Sequence, residues 1–550
     1  MGRRLIVALA LAGLATIAVP AATGHPERST EFPTGGVRPA PKYRNSGTAL
    51  VVCQADSAKR LRKIFTGDDN AETLERRLKE LDKCKYRSIQ DAVDAAKSGY
   101  RIRIMPGLYT EPKSRAVPAD DPRCKDMYEV TDDPSEKRTN DPGKRPTFEY
   151  QLKCPNSKNL VQVIGDKNDD RKCDQLCDLQ MEGLGAKPLD VLVSSDRKKL
   201  DVIRADRVEN FVISNLAVEF GAFNGVDVVE TDGFQLNKLV VRWNQNYGAL
   251  TFTTVNGIYR NIDAYGNGDS GVYPGSTKPQ DCTSGQNGAR YSIEIRNVTS
   301  HDYVLGYSGT AGDSVWVHDN KFFDNATGLT TDSFAAGHPG MPQRCAKWEG
   351  NQIYDNNNAL FSDTRDKYCQ EHPFSAPDRD PKIVCPQFQT AQGTGALIGG
   401  GTNNLLIGNR VWGNRRGGFV QFWVPATLRG ENDPAKQSDT SNGNRYINNK
   451  MGVKPDGTIS PNGNDPNFST HGDFWWDEQG SGNCYDGNTG PSGSKPTSVP
   501  ANLPGCPGSS ISLLGRPEAL PSIATCATWD PGTRPDPPGC DWFVTPPASR

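Results

Sequence analysis

Leu329 leads three residues on to Asp332, and Leu360 leads three residues on to Asp363. Each aspartate follows a short apolar run that reads as a strand with its leucine turned inward. Alternation along a strand then puts the aspartates on the outer face, and on neighbouring strands they would stand about 5 Å apart. Two carboxylates so close repel unless one is protonated, a base pairs with them or a cation binds. Arg365 is the basic partner near in sequence, and calcium is the cation that an oxygen-only ligand set suits. Asp332 and Asp363 are thus expected to do acid–base work or to hold calcium. The plain alternative is a solvated pair neutralised by neighbouring lysine or arginine.

The chain holds six histidines, so each can be weighed. His338 follows Asp332 in TDSFAAGHPG, and His301 stands next to Asp302 in TSHDYVLGYSG. Histidine beside carboxylates can move protons near neutral pH, which adds His338, His301 and Asp302 to the set. His318 reads as a surface residue, His25 and His372 fall in loop-like sequence, and His471 precedes an aromatic run. The acidic stretch GDKNDDRKC at 165–173 is not an EF-hand loop. Counting from Asp166 puts Arg171 and Cys177 where glycine and glutamate are required.

These residues need a scaffold that repeats. In residues 86–112, Ser88 and Asp91 form an N-cap pattern, and Ile89, Ala92, Val93 and Ala96 share one helical face. Gly99 suits the helix end, and Ile102 and Ile104 then alternate with arginines as a strand closed by Pro106-Gly107. From about residue 190 the chain turns to short strands. Asn215, Lys238 and Asn261 are spaced by 23, as are Asn297 and Asn320, and most are followed by an apolar residue. A second form reads Asn320, Phe322, Asn325, Gly328, Leu329; then Asn351, Ile353, Asn356, Ala359, Leu360; then Asn409, Val411, Asn414, Gly417, with Phe419 one place late. The register slips by one between the early and late forms.

Such a pattern describes coils of short strands and tight turns stacked in parallel, each touching only its neighbours. Asparagine tolerates left-handed turn angles and can bond to the same residue one coil on, so most of these asparagines are structural. Insertions follow Val272, Leu329, Leu360 and Phe419. If they leave one turn of successive coils, they form a wall beside a groove fit for an extended polymer.

The totals narrow the partners. Sixty-three basic residues against 65 acidic give a net charge of −2, with no basic excess for nucleic acid. Residues 1–22 read as a secretory signal, with Gly2-Arg3-Arg4 before a short apolar run and Val19-Pro20-Ala21 at its end. The run is short for a membrane span, and no later segment is apolar enough for stable membrane insertion. Fourteen cysteines behind such a signal favour disulfides over zinc. Cys173 and Cys177 lie four apart, and Cys526 and Cys540 bracket a Pro-rich loop. Residues 23–47 read as a flexible leader. Phe474, Trp475 and Trp476 read as a cover for the last coil, or alternatively as a sugar-stacking platform.

The asparagine-punctuated coils, with the opening SIQDAVDAAKSG…RIRIMPGLYTE, resemble the right-handed parallel β-helix proteins of the pectin-lyase-like superfamily. The resemblance implies an all-β fold, a right-handed parallel β-helix (solenoid) with a short N-terminal capping helix and a loop-rich, disulfide-pinned C-terminal tail. The expected division is 1–22 signal peptide, 23–85 leader and pre-helix region, 86–485 β-helix and 486–550 tail. The superfamily includes polysaccharide lyases, glycoside hydrolases, uronate epimerases and non-enzymatic binding proteins, so fold alone does not select a reaction. Polygalacturonases carry N-T-D, D-D and G-H-G; this chain has Glu230-Thr231-Asp232 and Gly337-His338-Pro339, with no D-D between them. Alginate-type epimerases carry D-P-H; here Ser300-His301-Asp302 stands. Pectate lyases use calcium carboxylates and a basic proton acceptor, with which Asp332, Asp363 and Arg365 are compatible. No signature is met in full. The expectation is a secreted, monomeric protein acting on an acidic polysaccharide by lyase, epimerase or hydrolase chemistry. The alternative is a non-catalytic glycan-binding or structural extracellular protein.

Overall fold

The computed structural model describes residues 28–35, 38–112, 122–130, 144–281, 291–333, 338–387, 390–424, 426, 431, 434–437, 441–464 and 472–508. The expected right-handed parallel β-helix is the fold. Among the described residues, nineteen strands form a wide sheet and eleven a narrow one, and strands along each stack pair in parallel.

The wide sheet makes two faces because its strands bend at left-handed residues. Phe211–Glu219, Asp232–Arg242, Val255–Tyr265 and Ile293–His301 pair in succession. They bend at Asn215, Lys238, Asn261 and Asn297, each with φ between 51° and 55°. Later the bend becomes a break, as between Val315–His318 and Lys321–Phe323 or Lys347–Glu349 and Gln352–Tyr354. The left-handed position then falls on Asp319, Gly350, Gly408 and Asn448, and the asparagine follows it. This accounts for the register slip: Asn320 is not the counterpart of Asn297 but of Val298, whose amide donates to Asn320 Oδ1 at 2.8 Å.

The late asparagines form buried ladders. Asn320, Asn351, Asn409 and Asn449 each donate Nδ2 to the Oδ1 of the next, at 2.9–3.0 Å, and the ladder ends on Asn488. Asn325, Asn356, Asn414 and Asn462 repeat this one corner on. Each ladder satisfies corner amides that no strand partner reaches. Inward residues stack along the coils beside the first ladder, for example Ile213, Leu236, Tyr259, Ile295, Val317, Trp348, Leu406 and Tyr446, all buried.

The narrow face runs through Asp201–Asp206, Val226–Val229, Ala249–Phe252, Ser270–Gly275, Leu305–Tyr307, Thr327–Asp332, Thr394–Gly399, Gly417–Phe422 and Phe474–Trp476. A glycine opens many of these strands because neighbouring coils touch there. A Cβ on Gly328 would lie 2.5 Å from the Gly395 carbonyl oxygen and 2.7 Å from Asn356 Nδ2. The small-apolar partner of Asn356 is therefore Gly395-Ala396, whereas Ala359-Leu360, expected in that role, lies in an insertion between Asn356 and the strand.

The ends also differ from expectation. The wide sheet begins at Ala49–Val52, which pairs with Cys84–Tyr86 and Arg101–Ile104, well before residue 86. The helix Ile89–Asp94 forms with Ser88 accepting from the Asp91 amide, burying Ile89, Ala92 and Val93. Phe474, Trp475 and Trp476 are buried within the narrow sheet, with Ser498–Val499 pairing beyond them, so they offer no sugar platform. Cys484–Cys506 pins the tail to the last coil; Cys526 and Cys540 lie outside the described residues. Further disulfides join Cys53–Cys84, Cys124–Cys154, Cys173–Cys177 and Cys369–Cys385. The leader is not loose: residues 28–35 and 38–46 lie against the coils, with Arg28 buried.

Candidate functional site

The outer side of the narrow face holds the densest set of buried polar groups near the expected residues. Its outward positions follow from register. Asp227, Leu250 and Tyr273 lie in one column, continued by Thr330, Leu397, Val420 and Trp475. Phe252 and Gly275 lie in the edge column, continued by Thr310, Asp332, Gly399 and Phe422. Tyr247, Leu250, Phe252 and Tyr273 form one apolar cluster, and Val420, Phe422, Val424 and Trp475 another. Between them lies a polar gap containing Thr310, Thr330 and Asp332.

Asp332 ends the strand Thr327–Asp332 and is 4% exposed. Its Oδ2 accepts from Thr310 Oγ1 at 2.8 Å. Burial pushes the Tyr273 phenol well above its ordinary range, and the Asp332 carboxylate pushes it further. Burial likewise raises the Asp269 carboxyl, against hydrogen bonds from Tyr247 and Ser270, with Asp332 adding to the rise. Tyr273 thus keeps its proton at neutral pH, and Asp269 keeps its own to higher pH than a free carboxyl, both within the field of Asp332. His338, 5% exposed, sets its ring edge-on to Phe252 at 5.4 Å. Clustered groups with displaced proton affinities of this kind suit proton transfer.

Asp363 is not in this set. It opens the helix Asp363–Glu371 within the insertion that precedes Thr394–Gly399. The residue beside Asp332 on the next coil is Gly399. The expected stacking failed because Leu360 imitates an inward strand residue while belonging to the insertion. Arg365 donates to the Val384 carbonyl at 3.0 Å inside that same insertion. The pair expected to hold calcium is therefore not assembled, and no group of three or more His, Cys, Asp or Glu among the described residues is arranged to hold a metal.

His301 and Asp302 form a separate group at the opposite edge of the narrow face. From Leu305 to Thr310, at about 3.3 Å per residue, the two edges are roughly 16 Å apart. His301 bonds Asp302 through Nδ1 at 2.8 Å and faces Asp263 through Nε2 at 3.4 Å. Burial disfavours its charge, but those two carboxylates outweigh burial and raise its pKa to about 9. At neutral pH it is an imidazolium and cannot accept a proton. It stacks between Tyr265 and Phe323, in a ladder that continues through Tyr354 and Trp412. His318 is largely buried between Glu294 and Asp319 rather than free on the surface. His25 and His471 lie outside the described residues.

No family model matches the chain, and no characterised protein matches it in sequence. Among solved structures it is similar to the A-module of a mannuronan C-5 epimerase of Azotobacter vinelandii. That match has 11% identity and a TM-score of 0.41, covering 74% of this chain and 84% of that one. It is also similar to a pectate lyase, at 11% identity and a TM-score of 0.35, covering 91% and 89%. A third likeness is to an alginate lyase of Paenibacillus sp., at 12% identity and a TM-score of 0.31, covering 66% and 91%. These are likenesses of fold alone.

Tyr273 and Thr310, which contact or bias Asp332, were not singled out from sequence. Tyr273 sits one residue beyond inward Val272, before an insertion, whereas Asp332 drew attention three residues beyond Leu329. Thr310 follows a three-residue strand whose length hid its register.

Proposed function

We propose that this is a secreted parallel β-helix protein that acts on a polysaccharide, acidic in character, by proton transfer on the outer side of the narrow face. The observation carrying this reading is the buried Asp332 carboxylate, held by Thr310 and within electrostatic reach of the Tyr273 phenol, in a polar gap between two apolar clusters. Asp332 serves as the base that removes a ring proton, and Tyr273 as the acid that returns one to the leaving oxygen or to the opposite ring face. His338 lines the same site. A hydrolase would need a second carboxyl placed across the bond, and Asp363, expected in that role, instead opens a helix in the insertion. The disulfides favour an oxidising, extracytoplasmic setting. No described helix is long and apolar enough to cross a membrane.

A second reading, glycan binding without catalysis, draws support from the half-buried aromatic ladder through His301. Its rings stack on one another, so edges rather than faces remain for a sugar.

The test is incubation with alginate, polygalacturonate and other uronate polymers, with calcium and with chelator. Ultraviolet absorbance reports elimination, reducing ends report hydrolysis, and proton NMR of the recovered polymer reports epimerisation. Turnover lost in Asp332→Asn supports the reading. Binding without turnover favours the second, and silence in every channel sinks both.

A further inference from the structure

The leader makes contacts that a loose tail does not make. Arg28 lies 2% exposed in its side chain, with Nη2 at 2.8 Å from Asp206 Oδ1 and 2.5 Å from Glu230 Oε2. Its guanidinium stands 5.2 Å from the Phe148 ring. The Glu31 amide donates to Glu230 Oε1 at 2.8 Å, and Lys278 Nζ donates to the Pro33 carbonyl at 2.5 Å. Arg38 bonds the Asp232 carboxylate at 3.1 Å, its carbonyl at 2.7 Å and Glu209 at 3.2 Å. Gly35 packs so close to Asp232 that a Cβ would sit 1.6 Å from its Oδ2.

The surface beneath is built for a cation. Asp206 and Glu230 are buried and shared among Arg28, Arg204 and Arg207. Withdrawing Arg28 leaves buried carboxylate charge less compensated, which is costly. The leader supplies the missing cation from within the same chain. Its route also crosses the two loops beside Asp332. Phe32 lies against Gly340, two residues after His338, and Gly340 also meets the carbonyls of Thr277 and Ala311. Lys278 lies three residues beyond Gly275, an edge-column neighbour of Thr310. One segment therefore ties down both loops that border the polar gap.

We propose that residues 28–35 and Arg38 form an intramolecular clasp: docked on the acidic row of Asp206, Glu209, Glu230 and Asp232, they hold the loops at Lys278 and Gly340 beside the Asp332 site, and their release opens it to a polymer chain. The functional consequence rests on the reading of Asp332 given above; the docking does not. The contacts are ion pairs and backbone hydrogen bonds around one half-buried phenylalanine. Such a segment can come away without dismantling the coils, because the inward stacks lie elsewhere.

Hydrogen exchange by mass spectrometry on the full chain tests this with Arg28→Gln and Phe32→Ala. The expected result is at least tenfold faster exchange at 276–281 and 338–342, with Asp232–Arg242 and Val255–Tyr265 unchanged. Should R28Q fail to fold, F32A carries the test, since it leaves the buried ion cluster intact. Unchanged loop exchange while residues 28–35 and Arg38 exchange faster would overturn the clasp. Alginate and polygalacturonate turnover is followed in parallel. Freed loops with unaltered turnover would count against the Asp332 reading and leave the clasp standing; higher turnover with protected loops would overturn the clasp.

Discussion

Replacing Asn351 by alanine should open the β-helix at one coil. Its Nδ2 donates to the Val317 carbonyl at 2.9 Å and to Asn409 Oδ1 at 3.0 Å. Its Oδ1 accepts from the Asn320 amide at 3.1 Å and from Asn320 Nδ2 at 2.9 Å. Asn351 is fully buried, so water cannot replace these partners without entering the core. Four bonds at about 1 kcal/mol each sum to about 4 kcal/mol, and stranded buried groups push the figure upward. At 1.4 kcal/mol per decade, local opening should rise by nearly a thousandfold. Exchange of the Asn320 amide, which donates to Asn351 Oδ1, reads this directly, and the urea midpoint reads the global share. Asn488→Ala, at the half-buried end of the same ladder, should cost about half as much. A loss below about 1 kcal/mol for Asn351→Ala would refute the view that the ladder holds the coils in register.

The remaining expectations are narrower. Gly328→Ala drives a methyl into the Gly395 carbonyl and the Asn356 amide, and should cost about 1–3 kcal/mol in urea unfolding. His301 has a folded pKa raised to about 9, so its contribution to stability is full below its unfolded value near 6.5 and is lost as pH rises through about 9. Urea midpoints across that range should fall in the wild type and flatten in His301→Gln; an identical slope in both would show that another group carries it.

Much of this architecture was legible from sequence because a repeat writes its structure many times. The asparagine spacing, the helix behind Ser88 and the strand at Ile102 all stand where local pattern put them. The errors have physical causes. An insertion between Asn356 and Gly395 carries Ala359-Leu360, which has the chemistry of a coil without its place, and this misplaced Asp363. The left-handed bend moves one residue relative to the asparagine between Asn297 and Asn320, because in the late coils the bend becomes a break. The leader looked free because the hydrogen-bond partners of Arg28, Pro33 and Arg38 lie 171–245 positions away, and pairs at that range leave no local signal. Tyr273 escaped notice because a tyrosine after a valine in a strand reads as packing until register sets it in the field of Asp332.

The central claim is that Asp332 moves protons on a uronate polymer. Its most direct measurement compares wild type and Asp332→Asn on alginate and polygalacturonate, by ultraviolet absorbance and proton NMR of the polymer. Turnover is expected of the wild type, with a loss of at least about a hundredfold in the variant and an unchanged urea midpoint. Wild-type turnover retained in Asp332→Asn, or a wild type silent toward every uronate polymer, would contradict it.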